Sequence, residues 1–171
     1  MKLALSETVY CFDTNSLITL DTHYKQGKVF GPLWADIDEL LDAERFIIIE
    51  EVYDEILRHQ GPQSTWLKDW LKTNKKRFFQ ETGEEAMVMA RKVIRENKNT
   101  GFIKLEKMLS GKEEADPFLI GQAAVNGYVI VTEESQASGN RIPKVAKKYG
   151  ARAINLLAYL HERGFELTRK E

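Results

Sequence analysis

The stretch YCFDTNSL, residues 10–17, begins with apolar and aromatic side chains and then turns abruptly polar. Residues 9–12 are the β-branched, aromatic and soft apolar types that are typical of a buried central strand. Asp13 therefore lies where this strand leaves the core, with Asn15 two positions later. In open α/β sheets, ligands bind outside the carboxyl ends of the strands. The alternative is that Asp13 or Thr14 caps the following helix, as strand-to-helix turns commonly require.

Further strand patterns predict the fold class. Apolar runs at residues 46–49 and 128–131, and a weaker one at 151–154, are separated by segments with helical spacing of apolar residues. Strands that alternate with helices predict a mainly parallel sheet with helices on both faces, a three-layer α/β/α fold. The segment 62–111 lacks a strand pattern, and we interpret it as a helical insertion. We predict a single domain over residues 1–171, a length that buries a full core.

Composition limits the class of protein. Apolar residues make up 43% of the chain and charged residues 30%, and the net charge is −1, which does not indicate a generally basic nucleic-acid binder. We expect no membrane span, which needs about 20 apolar residues in a row. We also expect no signal peptide in residues 1–9. The only cysteine, Cys11, fits a reducing compartment, and we therefore predict a cytoplasmic protein.

Carboxylates also stand near the ends of other predicted elements. Glu51 and Glu55 lie one helical turn apart in the helix that follows residues 46–49. Asp116 lies at the start of a later helix, directly before Pro117. Each acid has a simpler explanation, because an exposed helix face or an N-cap uses the same residue types.

The run 128–131 ends in Thr132, Glu133 and Glu134, much as the first strand ends in Asp13. An exposed loop would explain these two glutamates if they stood alone. Because both strands end in the same way, we predict that the acids meet where parallel strands end, at the carboxyl edge of the sheet.

A cluster of carboxylates suggests a divalent cation. Mg²⁺ and Mn²⁺ prefer oxygen ligands, and Mg²⁺ commonly combines one or two carboxylates with water and substrate phosphate. Without a cation, two negative charges about 4 Å apart repel each other by on the order of 4 kcal/mol at an effective dielectric of about 20. A bound cation would polarise a substrate and activate a water molecule for attack.

Four motifs in order resemble the PIN-domain superfamily of metal-dependent ribonucleases: FDTNSLI (12–18), IIIEEVYDEI (47–56), ADPFLIGQA (115–123) and VIVTEES (129–135). The tail IPKVAKKYGARAINLLAYL, residues 142–160, is similar to the last strand and helix of that fold. The resemblance covers nearly the whole chain and is weakest over 62–111. It implies a single PIN-like domain from a branch related to the toxins of toxin–antitoxin pairs.

The resemblance also assigns site residues. It implies four acids that are both catalytic and metal-ligating, with Mg²⁺ or Mn²⁺ as the cofactor: Asp13, Glu55, Asp116 and Glu134. Asn15 and Thr132 match the supporting polar residues. Glu51 competes with Glu55 for the second position, and Glu133 with Glu134 for the fourth. The family usually has aspartate where Glu134 stands, so the longer side chain leaves open whether one ion or two are held.

The function implied by the resemblance is hydrolysis of RNA phosphodiesters by a divalent-metal-dependent endoribonuclease. Single-stranded or loop RNA is the expected substrate. As the toxin of a toxin–antitoxin pair the chain would have an antitoxin protein as partner, and a homodimer is a further expectation. The alternative is a non-catalytic PIN-like module that binds nucleic acid or protein.

A doubly wound phosphotransferase is the other alternative. The dehalogenase-like type needs a second aspartate where Asn15 stands, and a receiver domain needs an acceptor aspartate where residues 46–49 are followed by Glu50. Neither requirement is met.

Three basic clusters, at residues 72–77, 91–98 and 144–148, are candidates for contacts with a nucleic-acid backbone, although such clusters are more often only a solubilising face. Trp66 and Trp70 lie one turn apart, and we expect them to pack in the core or on a partner rather than stack on bases. No site role is expected for the scattered histidines: His23, His59 and His161.

Overall fold

The computed structural model describes residues 8–58, 65–104, 106, 114–166 and 168. The strands are β1 (Tyr10–Phe12), β2 (Phe46–Ile49), β3 (Phe79–Gln80), β4 (Val129–Val131) and β5 (Arg152–Ile154). The helices are α1 (Thr14–His23), α2 (Gly31–Asp42), α3 (Glu50–Arg58), α4 (Thr65–Phe78), α5 (Glu84–Asn97), α6 (Ala115–Asn126), α7 (Ile142–Lys148) and α8 (Leu156–Glu162). Residues 1–7, His59 and parts of the predicted insertion 62–111 lie outside the described residues.

The five strands form a sheet in the order β3-β2-β1-β4-β5, and every neighbouring pair is parallel. The predicted α/β fold with a parallel sheet is therefore confirmed. All residues of β1, β2 and β4 are buried, as expected for strands covered on both faces. Phe12 of β1 stacks on Phe46 of β2 with ring centroids 4.2 Å apart, and Tyr10 meets Tyr159 of α8 edge-on at 5.0 Å.

The segment predicted as a helical insertion contains more than helices. Helices α4 and α5 confirm the helical pattern, but Phe79 and Gln80 between them pair in parallel with Ile48 and Ile49 of β2. They form the edge strand of the sheet. A strand of two residues is too short to show an alternating pattern, and for this reason the sequence did not indicate it.

The two tryptophans of α4 are part of the core packing. Trp34 of α2 meets the rings of Trp66 and Trp70 edge-on, with ring centroids at 4.9 and 5.6 Å, and all three contact the hydrophobic core. The expectation of packing rather than base stacking is confirmed. None of the described helices has the length and apolar character needed to cross a membrane.

Helices α5 and α6 make a very close contact at Gly121. A Cβ atom added at this position would lie 2.5 Å from the backbone oxygen of Ala86 and 2.9 Å from the backbone nitrogen of Ala90. Both of these atoms belong to the backbone of α5, so the rotation of a side chain cannot relieve the clash. The absence of a Cβ atom at Gly121 therefore allows α5 and α6 to approach each other this closely.

We expect Gly121→Ala to lower the free energy of unfolding by about 1–3 kcal/mol, the usual cost of overpacking a core. Urea unfolding measures this, with Gly27→Ala as the matched control, because an added Cβ at Gly27 meets nothing within 4 Å. Equal stability of the Gly121→Ala and Gly27→Ala proteins would show that α5 and α6 separate without cost.

Candidate metal centre

The candidate site lies at the carboxyl edge of the sheet, between β1 and β4. In the sheet, β2 and β3 lie on one side of β1, and β4 and β5 lie on the other side. This is the switch point of the sheet order, where a crevice opens beyond the strand ends. Asp13 follows β1 and Thr132 follows β4, and the Thr132 hydroxyl donates a hydrogen bond of 2.8 Å to Oδ2 of Asp13.

Asp13 has two roles. Its Oδ1 accepts a 2.7 Å hydrogen bond from the backbone N–H of Thr14, so it caps α1 as the simpler explanation proposed. It is also only 4% exposed. Burial raises the pKa of Asp13 to about 7; hydrogen bonds from Thr132 and Thr14 oppose this rise, and the charges of Glu134 and Glu55 add to it. A buried acid that is this costly to ionise indicates a place for a compensating positive charge.

The structure separates Glu55 from Glu51. Oε2 of Glu55 accepts a 2.6 Å hydrogen bond from the Thr14 hydroxyl, beside Asp13. The carboxylate of Glu51 instead accepts hydrogen bonds of 3.0 Å from the Thr82 hydroxyl, in the loop between β3 and α5. Four residues along a helix amount to about 6 Å, which carries the two side chains to different neighbours.

Asp116 is the second residue of α6. This helix precedes β4 and runs back against it, so the first turn of α6 comes to the carboxyl edge. The N-cap is Glu114, and the capping explanation for Asp116 is wrong. Asp116 is half-buried. Burial first, and then the charges of the neighbouring acids, hold its pKa well above the usual range; these acids are Asp13, Glu134, Glu55 and Glu114.

The fourth motif separates its two glutamates as well. Oε1 of Glu133 accepts a 2.7 Å hydrogen bond from the backbone of Leu156 at the start of α8, away from the other acids. Oε2 of Glu134 accepts one of 2.7 Å from the backbone N–H of Ile142, and Oε1 lies 3.3 Å from Nη1 of Arg141. Asn15 joins α1 to this loop, since its Oδ1 accepts a 2.9 Å hydrogen bond from the N–H of Glu133.

A cavity of about 220 Å³, which we call the acidic pocket, brings the predicted acids together. Its lining comprises Asp13, Thr14, Asn15, Ile18, Glu55, Gly101, Phe102, Lys104, Glu114, Asp116, Glu134, Asn140 and Arg141. Thr132 lies directly behind it, buried against Asp13. Glu51 and Glu133 are not part of the lining. The acids and their polar neighbours in the lining thus come from the junction of β1 and α1, from α3, from the start of α6 and from the loop after β4.

The basic clusters singled out in the sequence do not border the pocket. None of the clusters 72–77, 91–98 and 144–148 contributes to the lining, which instead includes the isolated Lys104 and Arg141. Arg77 of the first cluster pairs with acids of α2, and Lys75 lies over the rings of Tyr53 and Phe79.

The lining also contains a fifth acid, Glu114, that sequence reasoning did not select. The only signal was its position two residues before Asp116.

The carboxylates do not form a closed set of ligands as they stand. Across the described residues, no three Asp, Glu, His or Cys side chains are close enough to hold an ion together. Local donors hold several of them apart: the Thr14 hydroxyl on Glu55, Thr132 on Asp13, and Ile142 on Glu134. Mutual repulsion of like charges favours such separate contacts. The donor set nonetheless fits Mg²⁺ or Mn²⁺, because the acids supply hard oxygen atoms around one pocket and two of them have raised pKa values.

Comparison with known proteins agrees with the fold. The crystal structure of VapBC2 from Rickettsia felis bound to a DNA fragment from their promoter is similar, with a TM-score of 0.54 and 12% sequence identity. The match covers 86% of this chain and 98% of that chain. The fold is therefore PIN-like. The chain belongs to the family described as the domain of unknown function DUF4411, whose model matches residues 10–167. A search of curated proteins found no match.

Proposed function

We propose that the protein is a divalent-metal-dependent endoribonuclease that hydrolyses RNA phosphodiesters in the acidic pocket. The observation that carries the proposal is the convergence of Asp13, Glu55 and Asp116, from three separate elements, on one pocket at the switch point of a PIN-like sheet. These three acids would hold Mg²⁺ or Mn²⁺. Glu134, the fourth predicted ligand, stays a prediction that the variants below test.

A cation held there supplies a Lewis acid for attack of water on a phosphodiester. The residues of the chain orient the carboxylates that would bind the cation. Thr132 and the backbone of Thr14 fix the two oxygens of Asp13, and the Thr14 hydroxyl orients Glu55. Contacts of this kind orient metal ligands, although the carboxylates would have to move closer together to share an ion. Asn15 supports the arrangement by holding the loop after β4 against α1.

The pocket favours a flexible strand over a rigid duplex. Two bases, Lys104 and Arg141, border it, and the predicted basic clusters lie elsewhere. A duplex needs many backbone contacts along a basic surface, whereas a single strand can bend toward a recessed site. We propose single-stranded or loop RNA as the substrate, in the cytoplasm.

The test is cleavage of a single-stranded RNA and of its duplex by the purified protein. We expect cleavage of the single strand in Mn²⁺ or Mg²⁺, with Mn²⁺ at least as effective, and abolition by EDTA. Preferential cleavage of the duplex, or cleavage that persists in EDTA, would contradict the proposal.

The second acid can be tested with a matched pair on α3. Glu55→Gln should abolish metal-dependent cleavage because Glu55 lines the pocket, whereas Glu51→Gln should reduce it far less because its carboxylate bonds to Thr82. Circular dichroism confirms that both proteins are folded. The reverse ranking in folded proteins would show that the second ligand lies one helical turn earlier.

We further propose an antitoxin protein as partner. The support is the likeness of the fold to that of VapBC2, together with the resemblance of the four motifs to a PIN-domain branch related to the toxins of toxin–antitoxin pairs. The first test is the genomic neighbourhood: a small reading frame directly upstream would be co-expressed with this chain, and we expect the two products to co-purify and cleavage to be inhibited. Light scattering of the chain alone tests the proposed homodimer.

A further inference from the structure

Two basic side chains occur in a pocket that otherwise gathers five carboxylates. Arg141 comes from the loop after β4, and Lys104 from the segment after α5. A site built only to bind a cation would be weakened by positive charge at its wall. The presence of these bases therefore requires another explanation, and the contacts of Glu134 suggest one.

Glu134 holds this part of the wall in place. One carboxylate oxygen accepts the N–H of Ile142 at 2.7 Å, and the other lies 3.3 Å from Nη1 of Arg141. The first contact ties the loop of residues 135–141 to the start of α7. The second sets the direction of the guanidinium. Glu134 is largely enclosed, with its side chain 16% exposed, whereas Arg141 is 50% exposed and accessible to a ligand.

The length of Glu134 matters for both contacts. An aspartate at this position would have a side chain shorter by one methylene. Its carboxylate would be drawn back from a backbone N–H eight residues further along the chain. Both contacts thus make a specific structural use of the longer side chain of Glu134.

We propose that Glu134 is a positioning residue for Arg141, and that Arg141 and Lys104 together bind a backbone phosphate of the RNA substrate next to the metal site. This inference rests on the proposed function and extends it to substrate recognition. A guanidinium suits this role because its planar donors match two phosphate oxygens at once. Lys104 adds a point charge; its backbone N–H lies 3.4 Å from the Glu114 carboxylate, on the α6 side of the pocket.

The phosphate contact can be measured without turnover. We would titrate a fluorescent single-stranded RNA with protein carrying Asp116→Asn, which we expect to remove cleavage, and follow anisotropy at several salt concentrations. Adding Arg141→Gln should weaken binding about tenfold and lower the salt slope by about one phosphate contact. Arg141→Lys, which keeps the charge but not the planar fork, should give an intermediate loss.

The matched control is Arg91→Gln in the same background. It removes the same charge from an exposed position on α5 that does not line the pocket, so binding should stay within twofold. If Arg141→Gln and Arg91→Gln weaken binding equally, Arg141 contributes only net charge and the inference is wrong.

Glu134→Gln separates positioning from metal binding. Glu134→Gln alone should keep the rise in melting temperature that Mn²⁺ gives the wild type, and in the Asp116→Asn background it should weaken RNA binding as Arg141→Gln does. Loss of the Mn²⁺ effect would instead make Glu134 a ligand and overturn the positioning role. Failure of the proposed function looks different: the wild type itself would show no metal-dependent cleavage, whatever the ranking of the RNA-binding variants.

Discussion

The Asp116→Asn protein is expected to lose metal-dependent cleavage of single-stranded RNA by at least about 100-fold. Loss of a residue that merely supports a metal ligand already costs about 10–100-fold in affinity or activity, and a direct ligand should cost no less. Asp116 stands in the first turn of α6, where burial and four neighbouring acids oppose its ionisation. The neutral amide has nearly the same shape, so the variant should fold at least as well as the wild type without metal.

This experiment needs a control for contamination, because traces of another ribonuclease mimic weak activity. Wild type and Asp116→Asn must be purified in parallel and assayed at equal concentration, each with Mn²⁺ and with EDTA. Equal cleavage by the two proteins would remove the evidence for catalysis. The alternative of a non-catalytic PIN-like binding module would then be the better account.

The Asp13→Asn protein is expected to be more stable than the wild type at pH 8 in EDTA. The pKa of Asp13 is about 7 in the folded protein and about 3.9 in an unfolded chain. Between these values the folded state binds more protons than the unfolded state, so the wild type loses stability as the pH rises from about 4 to 7. Asp116, whose pKa is raised as well, acts in the same direction.

Asparagine removes the charge but keeps the hydrogen bonds. Its oxygen can still accept the N–H of Thr14, and its amide can donate to the Thr132 hydroxyl, which in turn reaches Asn15 at 3.3 Å. We expect a gain of up to about 4 kcal/mol at pH 8, because the pKa of Asp13 is raised by about three units and each unit corresponds to about 1.4 kcal/mol. The gain should shrink as the pH falls toward 4, where Asp13 is protonated in the folded state and about half protonated in the unfolded chain.

Urea unfolding from pH 4 to pH 8 measures this effect. The matched control is Asp69→Asn on the exposed face of α4, which should follow the wild-type curve. The prediction is wrong if the free energy of unfolding of the wild type increases steadily over this range and the Asp13→Asn protein is less stable than the wild type at pH 8. Burial would then not oppose the ionisation of Asp13.

The sequence could predict most of the sheet and several acids of the site. Three of the strands are continuous apolar runs, because both of their faces are buried, and such runs stand out in any sequence. Asp13 could be found because a polar residue directly after a buried strand must lie at the sheet edge. Glu55 and Asp116 depended on the resemblance to PIN domains, since each alone also fits an ordinary helix.

The remaining features depend on contacts between distant parts of the chain. Strand β3 exists because Phe79 and Gln80 pair with β2, and two residues carry no periodic pattern of their own. Lys104 and Arg141 are isolated bases that become neighbours of the acids only through folding. Dense runs of lysine are easier to recognise in a sequence than such isolated bases, but dense charge mostly reflects an exposed surface.

The central claim is that the acidic pocket holds a divalent cation, and thermal unfolding in EDTA and in millimolar Mn²⁺ tests it most directly. An ion that binds only the folded state stabilises it by about 2.7 kcal/mol at 100 times its Kd. For a chain of this size that is a rise in Tm of about 5–10 °C. We predict this rise for the wild type and a much smaller one for Asp13→Asn. A wild-type Tm that millimolar Mn²⁺ leaves unchanged would contradict the account.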